Sequence, residues 1–150
     1  MNGLIRFSLL VLMLTAMLSS IFSTNAQANN MEKLGNMDVH YIALNATFLT
    51  PKIAKAYGIE RSRYNGLINI AVMDNTKEGR PAKTVSITGT AQNLAGQNKS
   101  IEFVEVKEGD AIYYLAQVGY RNEEVLKFDL KINDGIESQQ LKFSQKFYVD

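Results

Sequence analysis

Between Val125 and Ile132 the chain alternates without a break: Leu126, Phe128, Leu130 and Ile132 are apolar, while Lys127, Asp129 and Lys131 are charged. A period of two is the repeat of an extended strand, which sends successive side chains to opposite faces. Four apolar groups on one face need a second layer to bury them, and three charges on the other need water. The segment predicts one wall of a sheet packed on a core.

The pattern recurs. Leu141, Phe143, Phe147 and Val149 alternate with Lys142, Ser144 and Lys146, and Thr84 to Asn93 sets Val85, Ile87 and Ala91 against Ser86, Thr88 and Thr90. Val39 to Phe48, Leu67 to Met73 and Ala111 to Val118 are apolar on both faces or nearly so, which predicts central strands covered on two sides. Tyr113 and Tyr114 then point to opposite faces, one of them inward. Ile101 to Lys107 reads as a seventh strand. Between these runs lie turn-forming clusters, among them Ala95-Gly96-Gln97-Asn98, Glu108-Gly109-Asp110 and Asn133-Asp134-Gly135. One short helix fits after Thr50 as cap, with Pro51 in its first turn and Gly58 ending it. The fold class is all-β: a two-sheet antiparallel sandwich of immunoglobulin-like type, about seven strands, with a small closed β-barrel as the alternative.

The N-terminus carries a different grammar. Arg6 precedes an uncharged, mostly apolar run from Phe7 to Phe22, and Ala26-Gln27-Ala28 offers small residues at a cleavage site. This is the pattern of a secretory signal peptide. The run is shorter than the about 20 apolar residues of a spanning helix, so no stable membrane anchor is expected after cleavage. Residues 1–28 are assigned to the signal, 29–35 to a flexible polar N-terminus and 36–150 to a single domain; the expected location is the periplasm.

Of 16 basic residues Arg6 leaves with the signal, and the remaining 15 balance 15 acidic ones. A neutral domain with mixed charges excludes the basic footprint that nucleic acid requires. With no cysteine there is no disulfide, and stability rests on the apolar core.

No constellation has the spacing of a known chemistry. His40 is the single histidine, and a metal site needs three or four ligands, so neither metal nor cofactor is expected. No serine sits in a nucleophile elbow, and the glycines are isolated turn residues rather than a phosphate cradle. The densest cluster of binding-type residues is Tyr57, Arg61, Arg63 and Tyr64, in a polar connection after the helix, where tyrosine and arginine suit a contact surface. The reading is a non-enzymatic interaction module that binds a periplasmic or envelope protein or another envelope component. Its rivals are an enzyme centred on His40 and a small-ligand binder between the sheets.

Several short stretches carry a family resemblance: Asp38-Val39-His40-Tyr41, Asn45-Ala46-Thr47-Phe48-Leu49 leading to Pro51, and Ala56-Tyr57-Gly58. So do Arg61-Ser62 before Gly66, Asn93-Leu94-Ala95-Gly96-Gln97, Glu108-Gly109-Asp110-Ala111-Ile112-Tyr113-Tyr114 and the ending Phe143 to Asp150. Over residues 36–150 the chain resembles the exported Gram-negative family catalogued as domain of unknown function 4426. The resemblance implies a periplasmic β-sandwich and brings no activity, cofactor or catalytic residue.

Overall fold

A computed structural model describes residues 30–149; the signal segment and its cleavage site lie outside the described residues. Nine strands follow in order: β1 (Asn30–Leu34), β2 (Met37–Asn45), β3 (Asn65–Asp74), β4 (Ser86–Asn93), β5 (Asn98–Ser100), β6 (Val104–Glu108), β7 (Ala111–Gly119), β8 (Glu124–Asn133) and β9 (Ser138–Phe147). A 3-10 turn at Ala46–Phe48 and the helix α1 at Pro51–Ala56 lie between β2 and β3. One sheet has five strands in the order β1-β2-β3-β7-β6, the other four in the order β5-β4-β8-β9. All neighbours are antiparallel. The sheets stay separate, so the sandwich is the fold and the barrel alternative is not.

The alternation in β8 does what its period requires. Leu126, Phe128, Leu130 and Ile132 are buried, and Lys127, Asp129 and Lys131 are exposed. Phe128 lies opposite Phe143 of β9 and stacks on it at 4.6 Å between ring centroids. Phe143 in turn packs on Tyr41 of the other sheet at 4.6 Å, so an aromatic ladder crosses the core. Tyr114 joins the layers by hydrogen bonds: its hydroxyl accepts the Val85 amide and donates to Glu105. Burial, with the Glu105 charge beside it, pushes this phenol up to about 12.

Some boundaries differ from expectation for physical reasons. Residues 29–35 were expected to be flexible, yet Asn30–Leu34 pairs with β2 along its length as an edge strand. A polar edge strand is held by backbone hydrogen bonds and has no alternation to betray it. The same holds for β5, which pairs with β4 directly after the expected turn Ala95–Asn98. The seventh expected strand starts later, at Val104, because buried Ile101 and half-buried Phe103 carry the chain from one sheet to the other. The first ends at Asn45 rather than Phe48, where the 3-10 turn begins.

One end of the sandwich is clamped by Asp134, in the β8–β9 turn. Its carboxylate accepts the Ile136 and Glu137 amides at 2.9 and 2.8 Å. It also accepts Asn36 Nδ2 from the β1–β2 turn at 3.1 Å and pairs with Lys83 at 2.6 Å. The Glu137 amide first, then Lys83 and the Ile136 amide, hold this carboxyl well below the usual carboxylate range. A depressed folded-state pKa gives stability that is present above the unfolded value of about 3.9 and lost as pH falls through the folded one. Denaturation midpoints should therefore drop between about pH 5 and pH 2, and Asp134→Asn should flatten that drop. An equally steep fall in the variant would contradict the clamp.

Candidate functional site

The two outer faces of the sandwich differ in chemistry. On the four-stranded sheet the outward positions are Ser86, Thr88, Thr90 and Gln92 beside Lys127, Asp129 and Lys131, a solvated face. On the five-stranded sheet the register lines up a different set. One row is Met31, His40 and Ala71. The next is Ile42, Asn69, Leu115 and Val104, and Leu44, Leu67 and Gln117 form a third. The runs apolar on both faces have become β2, β3 and β7, the three central strands of this sheet. Their second face is covered in part: at one end Arg80 and Asn75 close over Asp38, and at the other a longer segment packs down on it.

The cover is built by the chain between β2 and β3. Thr50 Oγ1 accepts the Ile53 amide at 3.3 Å, Pro51 fills the first turn, and Gly58 at φ +66° lets the chain leave α1. This turns Ala54 and Ile59 down onto Leu67 and Ala46 in a second, smaller apolar cluster. Ile53 stays 43% exposed. Between this cover and the open sheet runs a groove of about 180 Å³, lined by Leu49, Ile53, Tyr57, Asn69, Tyr113 and Leu115 among others. The Tyr57 hydroxyl donates to Glu108 at the end of β6, tying the helix to the sheet beside the groove. Asn69 Oδ1 is buried there with no hydrogen-bond partner. The groove thus presents mostly apolar walls, with the unpartnered Asn69 Oδ1 and the Glu108 carboxylate as acceptors, a setting for an apolar group that carries an N–H donor. Asn69 is the sole polar residue in Leu67 to Met73, and that was the signal the sequence offered.

The four residues singled out from the sequence do not form one patch. Tyr57 lines the groove. Arg61 turns back under the connection, donating to the carbonyls of Leu49 at 2.8 Å and Thr47 at 3.2 Å. Arg63 lies over the Tyr64 ring at 5.5 Å. Tyr64 borders a separate cleft shared with Lys99 and Arg121. Arg61 is a brace, so Arg61→Ala should cost about 1 kcal/mol of stability, the worth of such hydrogen bonds. Arg63→Ala should stay within about 0.5 kcal/mol. Thermal melts of the two variants separate these; equal melts would remove the brace.

His40 stands on the open part of the sheet, half-buried, between Met31 and Ala71. Among the described residues no group of three or more His, Cys, Asp or Glu is placed to hold a metal ion. The space between the sheets is filled by side chains such as Phe128, Phe147, Leu126 and Ile70.

The family model for a domain of unknown function, DUF4426, matches residues 31–150. The chain belongs to the DUF4426 family. A crystal structure of a family member from Pseudomonas aeruginosa PAO1 is 34% identical, with a TM-score of 0.72, covering 83% of this chain and 98% of its own. Two structures of FetP from uropathogenic Escherichia coli strain F11 also share the fold. A copper-bound variant is 13% identical with a TM-score of 0.56, covering 80% of this chain and 95% of its own. The as-isolated protein is 12% identical with a TM-score of 0.54, covering 80% and 93%. At such identities the likeness to FetP is one of fold alone. No curated protein matches the chain.

Proposed function

We propose that this DUF4426 protein is a non-enzymatic interaction module of the periplasm. It binds an apolar segment of an envelope protein through the outer face of its five-stranded sheet. The observation that carries the reading is the contrast between the two outer faces. One is lined by serine, threonine and charge, and the other by Ile42, Ala71, Tyr113, Leu115 and Val104 around the unpartnered Oδ1 of Asn69. Apolar surface left in water is unfavourable, and contiguous patches of it mark contact sites. Tyr57 belongs to this surface through the groove. The periplasmic assignment rests on the N-terminal signal pattern, and export should give an intact mass that begins at Asn29.

The test is a crosslinking recovery of partners from periplasm with the double variant Val106→Lys/Ile53→Lys. Both side chains lie at the groove or its rim, so stability should stay within about 0.5 kcal/mol. Loss of anchor contacts should lower partner recovery by about tenfold or more. Thr88→Lys, on the polar face, should change nothing. If the double variant recovers the same partners in the same amounts, the reading fails.

A further inference from the structure

Three methionines follow the N-terminal apolar run: Met31, Met37 and Met73. Met37 is fully buried in the core. The other two flank the only histidine. Antiparallel register sets Met31 of β1 directly opposite His40 of β2. On the other side of His40 stands Ala71 of β3, and Met73 lies two residues further along that strand, diagonal to His40.

Alternation fixes the face on which they meet. Val39, Ile70 and Val72 belong to the core and Leu34 packs against it, so Met31, His40, Ala71 and Met73 all project outward. Directly opposed side chains have Cβ atoms about 4.5–5.5 Å apart, and diagonal neighbours at about 7–8 Å are within reach of long side chains. Ala71, between the two on β3, carries only a single methyl. Met31 is 50% exposed, and His40 and Met73 are half-buried, so none of the three is sealed in the core.

We propose that Met31, His40 and Met73 bind a soft monovalent metal ion, copper(I). Thioether sulfur is a soft donor that selects copper(I), and imidazole suits the same metal. The methionine side chain has three rotatable bonds, so two sulfurs can close on an ion lodged at the imidazole. Neither thioether nor imidazole brings a negative charge, which suits an ion of single positive charge. Hard cations require oxygen ligands, and the adjacent carboxylate is committed elsewhere. Asp38, next to His40 on this face, pairs with Arg80 at 2.8 Å and accepts Asn75 at 3.1 Å. Lys33, opposite Asp38, adds one exposed positive charge nearby.

The experiment uses purified protein and copper(I) alone, under anaerobic reducing conditions, against a chromophoric copper(I) chelator. The protein should withdraw one copper(I) per chain. His40→Ala should weaken binding by about tenfold or more, and so should Met31→Leu/Met73→Leu, which keeps apolar volume and removes sulfur. Met37→Leu should bind as the parent does. Should His40→Ala fail to fold, the parent still decides, because copper(I) must shift the NMR signals of the Met31 and Met73 methyls and spare Met37. No withdrawal of copper from the chelator, or binding unchanged by the double methionine variant, overturns the proposal.

Discussion

Phe128→Ala lowers the unfolding free energy by about 3–5 kcal/mol, the cost of emptying a filled aromatic site. Phe128 is 2% exposed and stacks at 4.6 Å on Phe143, which carries the contact across to Tyr41. Truncation loses the transfer of the ring from water and breaks the ladder in its middle, and the flanking strands cannot close the gap. Lys127, the preceding residue, points to water, so Lys127→Ala should stay within about 0.5 kcal/mol. Chemical denaturation of both variants checks the pair. Equal, small losses would mean that the register of β8 is wrong by one residue, which would turn every side chain to the other face.

Gly89→Ala should cost about 1–3 kcal/mol, the range for forcing an extra carbon into a filled core. Gly89 lies inward on β4, directly opposite Leu130. A methyl there would overlap the carbonyl oxygen of Asp129 and stand 2.7 Å from Leu130 Cδ2 and 2.9 Å from its Cα. The obstacle is mostly backbone, and β8 cannot retreat because β9 pairs along its other edge. Gly119→Ala is the control: its nearest neighbour would be 3.9 Å away, and stability should change by no more than about 0.5 kcal/mol. Melting both variants decides the matter, and equal melting temperatures would contradict so close an approach of β4 and β8.

Periodicity made part of this molecule legible. Leu126 to Ile132 and Leu141 to Phe147 announce their strands because each has one wet and one dry face. Thr50, Pro51 and Gly58 announce α1 because capping chemistry is local. β1 and β5 were hidden, since Asn30 to Leu34 and Asn98 to Ser100 pair through backbone groups common to every residue. The candidate site was hidden for another reason. Tyr57, Arg61, Arg63 and Tyr64 are neighbours in the chain, yet the turn after α1 sends them to a groove, a brace and a separate cleft. Ile42, Asn69, Leu115 and Val104 are far apart in sequence and meet only through strand register. Apolarity on both faces of β2, β3 and β7 was legible, but whether anything covered the second face was not.

The most direct test of the binding face is site-specific photocrosslinking in living cells, with one photoreactive residue at Val106 or at Thr88. Val106 marks the apolar outer face and Thr88 the polar one. The account predicts discrete crosslinked species from Val106 and none from Thr88. The same species captured from Thr88, with none from Val106, would contradict it.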